Sequence, residues 1–239
     1  MMCLRSVSLV ALASLVGVMA HMSLRSQNST QPTPAMQRGV SVQMASASNA
    51  RPWPRADDND AWIVTVDGVG RLYFATDPVT PEGLKQWMIR HPRRRNQKLY
   101  IKADARASYA SVEKALDAAS AAEFAAPVLL LNQRDALGTP GTVVPPKGIE
   151  VLIDGVNRGA QSIVVELNGS SSEPTAPTIN GEPVSWDSLQ SRLAEFVQGS
   201  SEKSVFVEAD GRATFAEVAR VIDACGAVRA TPVLSAPTL

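Results

Sequence analysis

Histidine and cysteine, which often act as general bases, nucleophiles or metal ligands, are rare in this chain of 239 residues. The sequence holds two histidines, His21 and His91, and two cysteines, Cys3 and Cys225. They form no Ser-His-Asp or Cys-His arrangement, no metal-ligand spacing and no nucleotide-binding glycine loop. The sequence therefore predicts a protein that is not an enzyme and uses no metal and no cofactor. A hydrolase that relies on carboxylates alone is kept as a third hypothesis, although no pair of acids falls in a predicted cleft.

Two carboxylates stand out by their position. Asp104 and Asp210 each follow a short apolar run and precede a helical pattern, within the sequence Ala-Asp-x-Arg-Ala. At such a turn an aspartate commonly accepts hydrogen bonds from the backbone two residues ahead, or lies near a helix N-terminus. The functional alternative is that both carboxylates contact a partner.

A basic cluster and one tryptophan are further candidates for partner contact. Arg93, Arg94 and Arg95 belong to the cluster Arg90-His-Pro-Arg-Arg-Arg95. Its charges suit a solvated loop at a helix C-terminus, and the alternative is a patch that binds anionic peptidoglycan or lipid headgroups. Trp53, in Arg-Pro-Trp-Pro, could anchor a partner.

The segment around Asp104 is repeated later in the chain. When residues 102–118 are aligned with 208–224, Asp104 meets Asp210, and most non-identical pairs are conservative, such as Tyr109 with Phe215. A match of this length predicts an internal duplication, so that the chain holds two copies of one small domain.

Both copies show the same order of hairpin, helix, strand, helix and strand. Thr214-x-x-Glu217 fits a capping box and Ser108-x-x-Ser111 does not, so the second copy has the stronger helix start. The apolar faces of these helices are predicted to hold Tyr109, Val112, Leu116 and Ala119 in the first copy and Phe215, Val218, Ile222 and Cys225 in the second. The fold class is α+β: two tandem two-layer domains, each β-β-α-β-α-β, with both helices on one face of the sheet.

The first helix of each copy follows a Pro-Val-Thr/Ser sequence. Thr80 is predicted to cap this helix in the first copy, with Pro81 at its first position. In the second copy the helix is expected directly after Ser185, and a Ser/Pro/Gly loop is expected between the hairpin strands.

Charge and cysteine usage exclude some partners. The chain carries 23 basic and 23 acidic side chains, and this balance argues against a nucleic-acid partner. Cys3 and Cys225 are not expected to pair, so no disulfide framework is predicted.

The N-terminal segment differs from the rest of the chain because it is predominantly apolar. Residues 6–24 carry no charge apart from His21, between Arg5 and Arg25. Val18-Met-Ala20 suits signal-peptide cleavage, and the alternative is an uncleaved anchor just long enough to cross a bilayer. Either interpretation sends residues 25–239 across a membrane.

The remaining organisation follows from composition. We predict a membrane anchor or signal peptide at 1–24, a flexible tether at 25–60, a first domain at 61–132, a linker at 133–147 and a second domain at 148–239. Two extended islands, residues 39–44 and 148–153, precede the copies, and each could add a strand to a sheet edge, its own or a partner's.

The ordered set of motifs resembles the ExbD/TolR family. It comprises an apolar N-terminal segment, a tether, Gly-Val-x-Val, a hairpin of the type Ile-Val-x-Val-Asp-x-x-Gly-Arg-Leu-Tyr, Pro-Val-Thr/Ser, and Ala-Asp-x-x-x-x-Tyr/Phe-x-x-Val. The resemblance covers residues 39–131 and 148–235, and it implies two periplasmic domains of that family in tandem.

The resemblance also implies partners and a location. Family members are single-span proteins of the bacterial inner membrane, with the domain in the periplasm, and they work as dimers. They act beside a multi-span ExbB/TolQ-type partner and use the proton gradient to drive TonB- or TolA-like proteins. Some members bind peptidoglycan. For this chain the resemblance implies a single-pass inner-membrane protein with residues 25–239 in the periplasm, either as a dimer or as an intramolecular pseudo-dimer.

Two departures from the family pattern limit this expectation. Family members carry an Asp in the transmembrane helix that takes the proton, whereas residues 6–24 contain no Asp or Glu. Ordinary members also carry one domain rather than two. We therefore expect a specialised subunit that does not itself carry the proton, and the alternative is a secreted periplasmic adaptor or peptidoglycan-binding module.

Overall fold

A computed structural model of the protein describes residues 39–94, 96–133, 145–153, 162–170, 173–200 and 203–234. The predicted anchor or signal peptide at residues 1–24 lies outside them, as does most of the predicted linker at 133–147. Within the described ranges, no helix combines the length and the apolar character needed to cross a bilayer.

The described chain begins with an arm, residues 39–57, that precedes the first module. The arm contains β1 (Ser46–Ala47), β2 (Arg51–Pro52) and a short 3-10 turn at Pro54–Asp57. The first module consists of β3 (Trp62–Val66), β4 (Leu72–Phe74), β5 (Asp77–Val79), α1 (Pro81–Arg90), β6 (Leu99–Ala103), α2 (Tyr109–Ala121) and β7 (Val128–Gln133).

A connecting strand follows, which consists of β8 (Lys147–Glu150) and β9 (Leu152–Ile153). The second module consists of β10 (Ile163–Ser170), β11 (Glu173–Ile179), β12 (Glu182–Pro183), α3 (Leu189–Gly199), β13 (Ser204–Ala209), α4 (Phe215–Ala227) and β14 (Thr231–Leu234).

Both modules have one sheet topology. The strand order is β7-β6-β3-β4-β5 in the first and β14-β13-β10-β11-β12 in the second. In each, the hairpin is antiparallel, and the two strands that follow the helices are added in parallel. The predicted α+β class and the duplication are thereby confirmed, and the structure adds one short third strand, β5 or β12, to each expected unit.

The helices of the repeat bury the faces that the spacing predicts. All eight residues of the two apolar faces are buried. Thr80 caps α1 by accepting a hydrogen bond from the N–H of Gly83 at 3.0 Å, with Pro81 next to it. Thr214 and Glu217 form the predicted capping box of α4, whereas Ser108 makes no side-chain cap to α2.

Two details of the second module differ from expectation. Helix α3 begins at Leu189 rather than directly after Ser185, because Ser185 and Ser188 first close a turn, in which the N–H of Ser188 donates to the Ser185 carbonyl at 3.1 Å. The expected Ser/Pro/Gly loop is instead a long extension of the hairpin, β10 and β11. Backbone groups form an antiparallel ladder, so short polar side chains do not prevent it.

The connecting strand lies between the two sheets. β8 pairs antiparallel with β7 of the first module, and β9 pairs parallel with β14 of the second. β2 of the arm pairs with the other side of β8, and β1 pairs with the end of β7. One continuous apolar core includes buried side chains from both modules, so that the described parts of the two modules pack as one unit.

Candidate interaction site at the seam between the modules

The Asp104 turn is built from the aspartate and its neighbouring arginine. The Asp104 carboxylate accepts the N–H of Arg106 at 3.0 Å and two guanidinium N–H groups of Arg106 at 2.8 and 3.0 Å. The arm adds the N–H of Gln43 at 3.1 Å. These donors stabilise the charged form, and the Arg106 guanidinium contributes most to holding the pKa of Asp104 well below its usual range.

The Asp210 turn repeats this chemistry. Its carboxylate accepts the N–H of Arg212 at 2.8 Å and two guanidinium N–H groups at 3.0 Å each. The Arg212 side chain is the main cause that lowers the pKa of Asp210 to about 2. Both aspartates are thus engaged in the local turn that their spacing predicts.

The two turns differ in access. The Asp104 side chain is 3% exposed and the Asp210 side chain is 32% exposed. The arm covers Asp104, because Met44 forms a β-bridge with Asp104 and the carbonyl of Gln43 accepts the N–H of Ala105 at 2.7 Å. The hairpin turn also covers it, since a Cβ at Gly68 would lie 3.3 Å from the Asp104 carboxyl carbon. A partner would therefore reach Asp210 more easily than Asp104.

The two turns meet each other at a seam between the modules. Ser108 and Thr214, the equivalent first residues of the two helix starts, form an antiparallel β-bridge. Four backbone hydrogen bonds flank this bridge in two matched pairs. In the first pair, the N–H of Tyr109 donates to the carbonyl of Ala213 and the N–H of Phe215 donates to that of Ala107, both at 2.8 Å. In the second pair, the N–H of Ala110 donates to Gly211 at 3.0 Å and the N–H of Ala216 donates to Ala105 at 2.9 Å. Each of these four hydrogen bonds thus has a symmetry-related counterpart, as expected for an interface with two-fold symmetry.

The arm is attached to the second module as well. The Asp223 carboxylate, on α4, accepts the N–H of Ser48 at 3.0 Å, the N–H of Asn49 at 2.7 Å and the side-chain amide of Asn49 at 3.0 Å. Sequence reasoning did not identify this contact. Its only signal was the identity of Asp117 and Asp223 in the repeat alignment, and nothing in the sequence linked either residue to Asn49.

The hairpin of the first module has a similar aspartate turn. Asp67 accepts the N–H groups of Val69 and Arg71 at 3.0 and 2.9 Å, the Nε–H of Arg71 at 2.7 Å and the hydroxyl of Tyr73 at 3.2 Å. Burial raises the pKa of Asp67, but the hydrogen bonds outweigh it, so that the net shift is downward. Gly70 is required there, because its φ of +84° is left-handed and a Cβ would lie 2.3 Å from Oγ of Ser111.

The basic cluster is engaged within the first module. Arg93 donates to the carbonyl of Ala122, past the end of α2, at 2.5 Å, and its guanidinium lies 4.5 Å from the Phe124 ring centre. Arg94 forms an ion pair with Asp60 at 2.6 Å while its side chain stays 78% exposed. Arg95 lies outside the described residues. Arg93 therefore contacts the C-terminal end of α2, and residues 90–94 are all exposed, with Arg94 at 78%.

Trp53 is half-buried and packs against the first sheet. Its indole N–H donates to the carbonyl of Gly148 on β8 at 3.2 Å, and its ring meets Tyr100 edge-on at a centroid distance of 6.4 Å. It thus covers the face of the first sheet opposite the helices, together with Ile63, Val128 and Leu130.

No cluster of three or more His, Cys, Asp and Glu side chains that could hold a metal ion is found in the described ranges. Cys225 is fully buried, and burial raises the pKa of its thiol to about 12. The hydroxyl of Tyr109 is buried without a hydrogen-bond partner in the structure, and burial raises its pKa.

The fold and the seam define two equivalent α+β modules that are paired through matching turns. Two consecutive segments of the chain, residues 28–134 and 133–234, match the protein-family model described as "Biopolymer transport protein ExbD/TolR". The chain belongs to the ExbD/TolR family, and it contains the family's domain twice. No curated protein and no solved structure matches the chain.

Proposed function

We propose that the chain is a membrane-anchored periplasmic subunit of a transport or envelope-energising complex that is linked to the proton-motive force. The match of both modules to the ExbD/TolR family carries this proposal. In this complex the apolar residues 6–24 anchor the chain in the inner membrane, and residues 25–239 lie in the periplasm. The expected partners are a multi-span protein of the ExbB/TolQ type and a TonB- or TolA-like protein.

We further propose that this subunit does not carry the proton itself. Residues 6–24 contain neither Asp nor Glu, and an intramembrane carboxylate is the group that such transfer would need. The role left to the chain is recognition in the periplasm. Among the candidate contact residues, Arg94 keeps the most accessible charge, and the side chains of Asp210 and Arg93 are each about one-third exposed. We propose Arg94 and Asp210 as contacts to a protein partner or peptidoglycan.

Co-purification from native membranes tests the proposal. The full chain with a C-terminal affinity tag is expected to stay in the membrane fraction after a carbonate wash, and to bring a multi-span ExbB/TolQ-type protein with it from detergent. The matched control joins residues 25–239 to a cleavable signal peptide, and it should reach the periplasm without that partner. Recovery of the full chain only as a free periplasmic protein would contradict the proposal.

The alternative function is that of a released adaptor or peptidoglycan-binding module. The small residues in Val18-Met-Ala20 favour it, because they suit signal-peptide cleavage. N-terminal sequencing of the mature chain separates the two functions, since a start at His21 requires cleavage. Sedimentation with isolated peptidoglycan then tests the binding function, and Arg94→Ala and Asp210→Ala are the variants to compare.

A further inference from the structure

The seam between the modules has the geometry of an interface between two identical subunits. In each of its two pairs of backbone hydrogen bonds, the repeat alignment converts one bond into the other. The central bridge joins the equivalent residues Ser108 and Thr214. An interface in which residue i contacts j and j contacts i is how two copies of one surface associate. Here, both surfaces belong to one chain.

The side chains at the seam are buried. Ala107, Tyr109, Ala213 and Phe215 are each at most 2% exposed. Separating the modules would expose these groups and would break backbone hydrogen bonds whose donors and acceptors would need new partners. A second copy of the chain would have to displace one module to reach this surface.

The connecting strand indicates that the pairing occurs within one chain. Leu131 of β7 lies directly opposite Lys147 of β8 in an antiparallel ladder, so that the intervening segment joins two adjacent positions. Such a loop costs little entropy, and the tether keeps the second module at a high effective concentration. The strand then continues along the first module, because the N–H groups of Val151 and Ile153 donate to Pro127 and Ala125 at 3.0 Å each.

We propose that the two modules of one chain pair with each other through this seam, and that the protein enters its complex as a self-paired monomer. One chain then supplies both halves of the interface and a single N-terminal segment. The surface formed by residues 105–110 and 211–216 is therefore closed to other copies of the chain. This inference concerns the pairing of the modules and holds whether or not an ExbB/TolQ-type partner is found.

Paired cysteines test the inference in the full-length protein in membranes. A Cβ at Gly211 would lie 3.0 Å from the Cβ of Ala110, and a small widening gives the separation of about 3.8 Å that a disulfide needs. In a Cys3→Ser background, Ala110→Cys with Gly211→Cys is expected to oxidise to a species with the mass of one chain and increased mobility on non-reducing gels. The equivalent pair, Ala105→Cys with Ala216→Cys, is expected to do the same.

The matched controls carry both cysteines in one module, Ala105→Cys with Ala110→Cys and Gly211→Cys with Ala216→Cys, because two like modules would bring these positions together across chains. Neither control should give a covalent dimer. A dimer from a control would show that like modules meet across chains, and a dimer from only the pairs that span both modules would show exchange of modules between chains. Either result overturns the inference, as does the failure of both pairs to oxidise. Native mass spectrometry of the unmodified protein in detergent should show one chain, and a mass of two chains would contradict the proposal.

Discussion

The two modules share a fold, yet their aspartate turns differ in environment. Asp104 and Asp210 accept the same three hydrogen bonds from an arginine two residues ahead, but the side chain of Asp104 is buried and that of Asp210 is one-third exposed. The arm lies against Asp104 and thereby contributes to the difference. The comparison teaches that the duplicated turn sets the local hydrogen bonding, whereas the segments packed around each turn decide what remains accessible.

The helical layers differ in a second way. In the first module, Trp87 on α1 packs against Trp62, Phe74 and His91, with ring centres between 3.8 and 5.2 Å apart. In the second module, a groove of about 480 Å³ opens between α3 and α4, lined mainly by small and polar residues such as Ser191, Ala194 and Gln198. Helix α1 thus contributes to an aromatic cluster, whereas small and polar side chains of α3 border the groove in the second module.

The largest effect is expected at the seam. Phe215→Ala removes a ring that is fully buried at the start of α4, which should lower the free energy of unfolding by about 3–5 kcal/mol. Urea unfolding followed by circular dichroism checks this value. Because both modules share one apolar core, a single transition should move. Two separate transitions, with only one displaced, would contradict the shared core. Phe196→Ala, at a half-buried position on α3, is the control and should cost less.

The connecting strand should be the next most sensitive element. Gly148→Ala would place a Cβ 2.5 Å from the carbonyl oxygen of Leu129, so β8 must move away from β7. We expect a loss of about 1–3 kcal/mol, measured by thermal and urea unfolding. Gly199→Ala is the matched control, because a Cβ there meets no atom within 4 Å. A loss at Gly199 as large as that at Gly148 would mean that the strand contact is not the cause.

The sequence predicts the repeated parts of the fold well. Periodicity identifies the buried faces of α2 and α4, and the capping box at Thr214 is visible from residue types alone. These features depend on neighbours within a few residues, so a local pattern suffices. The duplication adds a second signal, because the same pattern occurs twice.

The seam and the arm contacts could not be located from the sequence. Asn49 and Asp223 are 174 residues apart, and the seam consists of backbone hydrogen bonds that carry no side-chain signature. The island at residues 148–153 was predicted to add a strand to a sheet edge, but only the structure shows that it serves both sheets. The start of α3 was misplaced because two serines form a turn that competes with the helix.

Neutralising the two aspartates separately sharpens the comparison of their turns. Asp104→Asn should lower the free energy of unfolding by about 1–3 kcal/mol. The reason is that the buried carboxylate accepts hydrogen bonds from Arg106 and from the Gln43 N–H, and a neutral amide accepts them more weakly. Asp210→Asn should cost less, because solvent can replace the lost interaction. Urea unfolding at pH 7 measures both, and an equal or larger loss for Asp210→Asn would contradict the role of the arm.

The same pair predicts how stability depends on pH. Each folded-state pKa lies below the unfolded value of about 3.9. Their stabilising contribution is therefore complete above about pH 4 and is lost as the pH falls through the folded pKa. Unfolding midpoints between pH 5 and pH 2 should fall less steeply in each Asp→Asn variant than in the wild type. Parallel curves would mean that these carboxylates do not cause the acid sensitivity.

The smallest expected effect distinguishes the two helix starts. Thr214→Ala removes the acceptor for the N–H of Glu217 and one partner of the Glu217 carboxylate, and it should cost about 1 kcal/mol. Ser108→Ala should cost less, because Ser108 makes no side-chain cap and its hydroxyl contacts only Ser111, at 2.9 Å. Both residues lie on the central bridge of the seam, and an alanine substitution keeps the backbone atoms that form this bridge. The difference between the two losses in unfolding free energy therefore reports on the side-chain caps. Equal losses in urea unfolding would instead indicate that both hydroxyls act through the seam.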